Sequence, residues 1–109
     1  MSSSEVKTPA RTEVVGLVLD YTANAIDSDR AIERSQLSED TALVGSGAVV
    51  DSLGLVQIIS DIEDTMADDY AQPIDLTDER ALSQEKSPFR TVGTLVDHVM
   101  TCLGVPAGL

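Results

Sequence analysis

Asp51-Ser52-Leu53 is the segment of this 109-residue chain whose residue types and spacing could do chemistry. It follows Gly45-Ser46-Gly47 and precedes a run of apolar residues at helical spacing, so Ser52 is expected at the N-terminal end of a helix. Unpaired N–H groups and the positive end of the helix dipole favour an anion there, and a phosphorylated serine would suit that geometry. The plainer use of a serine at such a position is as an N-cap. Other reactive types are scarce. Cys102 is the only cysteine and His98 the only histidine, which excludes an internal disulfide, a structural zinc site and an HExxH helix. His98, beside Asp97, reads as a surface or boundary residue and Cys102 as a bystander thiol. Asp27 and Asp29 begin like a calcium-binding loop, but Ile32 stands where glycine is needed and the later ligands fail. With no constellation of nucleophile, base and oxyanion donors, neither a catalytic residue nor a metal site is assigned.

The elements that must position Ser52 follow from periodicity. Residues 1–7 read as a disordered leader, and Thr8-Pro9 as an N-cap with proline at the first helical position. A first helix then carries Val14, Leu17, Val18, Tyr21 and Ala25 on one face and fades around Asn24–Asp27. From Asp27 to Asp51 the pattern is weak. Ile32, Leu37, Leu43, Val44, Val49 and Val50 can nonetheless plug a core, so this stretch is expected to be a pinned loop, with a short turn at Ser38–Thr41. A second helix should run from Ser52 to Tyr70. At about 100° per residue, Leu55, Ile58, Ile59, Ile62 and Met66 share one arc. Leu53 and Val56 fall outside it, beside Ser60, Glu63 and Asp64, which puts two apolar residues in solvent among acids. Asp68 and Asp69 oppose the dipole at the far end, which is expected to fray. Pro73 limits continuation, a short third helix is expected over Asp78–Ser83 with Thr77 as its cap, and a last helix spans Thr91–Cys102. Residues 104–109 form a flexible tail.

Composition narrows the function. The net charge is −12, and residues 51–85 hold ten acidic side chains against one basic. So negative a surface disfavours nucleic acid and anionic membrane and favours basic protein patches. Three aromatic residues in a chain that is 42% hydrophobic imply an aliphatic, helical core. The absence of an apolar leader or a bilayer-length apolar run, with one cysteine, points to a soluble cytoplasmic protein.

The run Gly47-Ala48-Val49-Val50-Asp51-Ser52-Leu53-Gly54-Leu55-Val56, followed by Ile62-Glu63, resembles the attachment segment of acyl carrier proteins. The resemblance continues through the acidic second helix and Ile74–Leu82 to Phe89-Arg90-Thr91-Val92-Gly93-Thr94-Leu95-Val96-Asp97-His98-Val99, which is similar to that family's closing helix. It implies an all-α, acyl-carrier-protein-like four-helix bundle over residues 8–103, of three longer helices and one short, with a long ordered loop between the first two. It further implies that Ser52 is the attachment point of 4′-phosphopantetheine. The group would be transferred from coenzyme A by a separate phosphopantetheinyl transferase using Mg²⁺, with Asp51 orienting the serine or the metal. The chain would itself be no enzyme. Its arm would hold intermediates as thioesters for an acyl-loading ligase or transferase and for downstream biosynthetic enzymes, and a monomer is expected. Leu53, Val56, Ser60, Glu63 and Asp64 match the face that such partners read. Gln57 and Ser60 stand where many fatty-acid carriers have an acid and a methionine. Those departures, the glycine-rich run and the Ser83–Pro88 insertion lean toward polyketide or related antibiotic biosynthesis, with aminoacyl or glyceryl-type cargo as an alternative. A reading of another class is an unmodified acidic helical adaptor that binds basic protein surfaces.

Overall fold

The computed structural model describes residues 8–26, 32–45, 47–77 and 89–104. The expected leader over 1–7, Asp27 and Asp29, the short helix over Asp78–Ser83, the Ser83–Pro88 insertion and the tail beyond Gly104 lie outside them. The described residues form an all-α fold of three helices, α1 (Arg11–Ala25), α2 (Ser52–Asp69) and α3 (Val92–Cys102), with one 3-10 turn at Arg34–Gln36. They contain no strand, only an isolated antiparallel bridge between Ala42 and Thr91. None of these helices is long and apolar enough to cross a membrane.

The helical stripes bury as spaced. Val14 and Val18 of α1, Ile58, Ile59, Ile62 and Met66 of α2, and Val92, Leu95, Val96 and Val99 of α3 form one aliphatic core, with Leu55 packed at its margin. Among the described residues the one buried polar side chain is Thr22, which donates its hydroxyl to Val18 O at 2.7 Å and so offsets the cost of its burial. α1 packs against both other helices, and Tyr21 and Thr65 join it to α2 through their hydroxyls. The backbones of α2 and α3 do not approach each other closely. Leu76 bridges them. Its side chain is fully buried, its N–H donates to Glu63 Oε2 of α2 at 2.9 Å, and its carbonyl accepts from His98 Nε2 of α3 at 2.9 Å. Because a carbonyl only accepts, His98 must carry a proton on Nε2. Its ring also meets Phe89 edge-on, with centroids 5.8 Å apart. His98 is thus a boundary residue with a structural task.

Three expectations change. α1 starts at Arg11 rather than at Thr8-Pro9, because Thr8 Oγ1 accepts from Gln72 Nε2 at 2.8 Å instead of capping α1. Ala10 holds the cap position, and Glu13 Oε1 accepts its N–H at 3.1 Å. The far end of α2 is closed rather than frayed: Ala71 takes a left-handed φ of 53°, which lets Gln72 N–H reach Met66 O at 2.9 Å. Glu63, expected in solvent, is half-buried and committed to Leu76.

The 32–50 loop is pinned as expected, with Leu37, Leu43 and Val50 buried and Thr41 N–H closing a turn on Ser38 O at 3.1 Å. It also caps α3. Val92 N–H donates to Thr41 O at 3.0 Å and Gly93 N–H to Glu39 O at 2.8 Å, while Thr91 Oγ1 accepts from Thr94 N. A side chain at Gly93 would press on Glu39, whose carbonyl oxygen lies 3.1 Å from the Cβ position. Arg11 fastens the same corner, reaching Glu39 at 2.6 Å and Asp97 at 2.9 Å.

Ile62→Ala should therefore destabilise the protein by about 2–5 kcal/mol in denaturant unfolding, and Glu63→Lys by about 1–3 kcal/mol through the stranded Leu76 N–H. Leu53→Ala should stay within about 0.5 kcal/mol of wild type. Charge gives a second test. The hydrogen bond from Arg11 holds the Glu39 carboxyl below its ordinary range, against a smaller opposing effect of burial. A depressed carboxyl stabilises the fold above its unfolded pKa of about 4.3, and that contribution is lost as pH falls through the lower folded value. Arg11→Met should cost under about 1 kcal/mol at neutral pH, since the pair is half-exposed. The gap in Tm should close in acid, and a gap that persists there would assign the effect to packing.

Candidate functional site

The start of α2 is built by three neighbours of Ser52. Asp51 is the N-cap: its backbone is extended and its Oδ1 accepts Gly54 N–H at 2.8 Å. Gly54 is buried, and a Cβ there would lie 2.9 Å from Val50 Cβ and 3.3 Å from the Ala25 carbonyl oxygen. Only glycine lets the first turn of α2 sit this close to the end of α1. Val50, itself buried, anchors the incoming loop. Gly45 reverses that loop with a φ of +91°, a conformation that favours glycine, and Ala48 N–H donates to its carbonyl at 3.2 Å.

With Asp51 as the cap, the serine is spared that task. Ser52 is the first helical residue, exposed, and its Oγ takes part in none of the hydrogen bonds found among the described residues. The N–H groups of Ser52 and Leu53 are too near the helix end to have intrahelical partners, and among the described residues no loop carbonyl receives them. The contrast with α3 is direct, because there the loop and Thr91 take up the first three N–H groups. α2 therefore presents a hydroxyl, two free donors and the positive end of its dipole at one exposed point. Beside it lies an open recess of about 290 Å³, lined by Leu43, Val44 and Ala48 of the loop and by Asp51, Ser52 and Leu55.

Along the outer face of α2, Leu53 is 79% and Val56 58% exposed. Gln57, Ser60 and Asp64 are exposed with them, and Gln57 Nε2 donates to Asp61 Oδ1 at 3.0 Å. The structure thus groups Leu53, Val56, Ser60 and Asp64 on one face with Ser52 at its end, while Glu63 sits at the margin, tied to Leu76. Gly54 was not singled out in the sequence for its close approach, and Val44, expected among the residues that plug the core, is instead 36% exposed at the recess. The glycine three residues after an Asp cap was the available signal for that approach. Cys102 is half-buried, with Sγ 4.0 Å from His98 Nε2 and far from this site in sequence. Among the described residues no group of three or more His, Cys, Asp or Glu side chains could hold a metal ion. The chain matches no protein-family model, and comparison with curated proteins and with solved structures finds no match.

Proposed function

We propose that this protein is a carrier of the acyl-carrier type, a four-helix bundle whose Ser52 oxygen bears 4′-phosphopantetheine. The observation that carries the reading is the uncommitted, exposed Ser52 hydroxyl at the open N-terminus of α2. The residues present fit the group. The N–H groups of Ser52 and Leu53 are free to meet phosphate oxygens, and the dipole of an 18-residue helix favours the phosphodiester charge. Asp51, held by Gly54, fixes the peptide that carries the serine. In the site of a phosphopantetheinyl transferase, Ser52 Oγ would bond to the phosphorus of coenzyme A and give up its proton. The bond to the departing adenosine bisphosphate breaks, and the transferase's Mg²⁺ offsets the phosphate charge. Once attached, the arm supplies a terminal thiol that holds cargo as a thioester. The chain's own part is to present that thiol and to be recognised, so it is not an enzyme.

Recognition falls to the outer face of α2. Leu53 and Val56 offer a small apolar contact, and Asp64 on the same face, with Asp61 and Asp68 toward its edge, adds charge that speeds encounter with basic partners. These partners are the transferase, a loading ligase or transferase, and the downstream biosynthetic enzymes. Gln57 and Ser60, where the chain departs from fatty-acid carriers, are both exposed on this face. Their exposure supports a pathway-specific carrier of polyketide or related biosynthesis over a general one. An unmodified acidic adaptor would use the same face but would be indifferent to Ser52.

Incubation with coenzyme A and a broad-specificity phosphopantetheinyl transferase should add one phosphopantetheinyl mass to the wild type and none to Ser52→Ala. No gain, or a gain that survives in Ser52→Ala, would reject the carrier reading. In the same assay Leu53→Asp should lower kcat/KM about tenfold, equivalent to ~1.4 kcal/mol of lost contact. Rising salt should slow the wild type. Unchanged rates would remove this face from recognition.

A further inference from the structure

Resting on the carrier reading, we propose that Arg11 is a positioning residue for the loading of Ser52, acting through the loop that leads into α2. Arg11 stands in the first turn of α1, yet its guanidinium joins three elements at one corner. Nη2 donates to Glu39 Oε1 of the loop at 2.6 Å and to Asp97 Oδ1 of α3 at 2.9 Å, and Nε donates to the same Asp97 oxygen at 3.2 Å. From Glu39 the loop runs toward Ser52 along backbone rungs. Glu39 O accepts Gly93 N–H at 2.8 Å, Thr41 O accepts Val92 N–H at 3.0 Å, and Leu43 N–H donates to Arg90 O at 2.8 Å. Val49 N–H then donates to Ala42 O at 3.1 Å, which folds the last part of the loop onto these rungs and brings buried Val50 against Gly54. Asp51 and Ser52 follow directly.

Two features make Arg11 the point of control. Among the described residues it is the only cation whose ion pairs reach both the loop and α3. Between Glu39 and Val50, moreover, Leu43 is the one buried side chain among the described residues, while Glu39, Asp40, Val44, Gly45 and Gly47 are exposed. A segment with so little apolar contact opens locally at small cost, so the charged tie weighs in its balance. A loop that has left its rungs presents Asp51 and Ser52 in more than one orientation. A transferase that accepts one of them then meets a smaller competent fraction, which raises its KM for the carrier without touching the chemical step. Lysine is no equivalent here, because a single ammonium lacks the planar fork that spans two carboxylates.

The test is the rate of transfer from coenzyme A to the apo protein, followed by intact mass at saturating coenzyme A over a range of carrier concentrations. Arg11→Met should raise KM for the carrier about two- to fivefold, the range an exposed ion pair can supply, with kcat unchanged. Arg11→Lys, which keeps the charge, should show part of this rise and serves if Arg11→Met fails to fold. Arg34→Met is the control. It removes the same charge and breaks the pair with Asp20, which lies upstream of buried Leu37, so its KM should match the wild type. Amide hydrogen exchange should quicken in Arg11→Met at Leu43, Val92 and Gly93 but not at Leu95. An unchanged KM, an equal rise in Arg34→Met, or exchange that quickens as much at Leu95 overturns the positioning role and leaves the carrier reading standing. Failure of the wild type to load overturns both.

Discussion

At Gly54 the first turn of α2 passes so close to Val50 and to the Ala25 carbonyl that no side chain fits, and this contact sets the position of everything near Ser52. The same residue gives its N–H to Asp51. One glycine therefore lies at the meeting of the loop, the end of α1 and the Asp51 cap. Since Asp51 takes the capping bond, the serine hydroxyl is left without an internal partner. A larger residue at position 54 would have to displace Val50 and the loop it anchors, and would crowd the Ala25 carbonyl at the end of α1. The exposure of a reactive oxygen is here a consequence of backbone packing.

The opposite side of the molecule is organised around Leu76. α2 and α3 lean on α1 but not on each other, so the wedge between them must satisfy its own peptide groups inside the protein. Glu63 and His98 do this from the two helices, one accepting and one donating. Both are polar residues of a type that commonly serves solvent or chemistry, and both are used here for structure. The division of labour along α2 is consequently sharper than its acidity suggests. Glu63 at the margin holds the segment after the helix, whereas Asp64 and Ser60 stand outward with Leu53 and Val56.

Much of this was legible in the residues, and what was not has a common cause. The start of α2 at Ser52, its buried arc and the exposure of Leu53 and Val56 follow from an angular period that needs no knowledge of neighbours. The stripe of α3 follows likewise, whereas Thr91, read as the first residue of that helix, is its cap. Pairings across long stretches of chain do not. Thr8 looks like an N-cap until Gln72, far along the sequence, claims its hydroxyl. Glu63 looks solvated until Leu76 folds back onto it, and only its place next to the buried arc, which Asp64 lacks, hints at the difference. At position 51 the ambiguity was different: Asp and Ser cap helices about equally well, so the order Asp-Ser permits either, and in the structure Asp51 takes the bond from Gly54 N–H. The turn at Arg34–Gln36 has too few residues for a period to register.

The acidity of α2 works against the helix that carries it. Asp61, Glu63, Asp64, Asp68 and Asp69 lie on an element with no Lys or Arg, so like charges meet at helical neighbours such as Asp64 and Asp68. Each such pair costs a few tenths of a kcal/mol, and the last two acids also oppose the dipole. Among the described residues no ion pair reaches these acids, since Arg11 is spent on Glu39 and Asp97 and Arg34 on Asp20. Burial of Ile58, Ile59, Ile62 and Met66, at roughly 1.5–3 kcal/mol per side chain, exceeds the repulsion, so α2 persists with its charge unneutralised. Salt then acts on this surface in two opposed ways: screening relaxes repulsion within the free chain and weakens attraction to a basic partner. A helix selected only for stability would place lysines among these acids. Their absence argues that the charge is kept for an encounter, and that the chain carries the repulsion until a partner of opposite sign removes it.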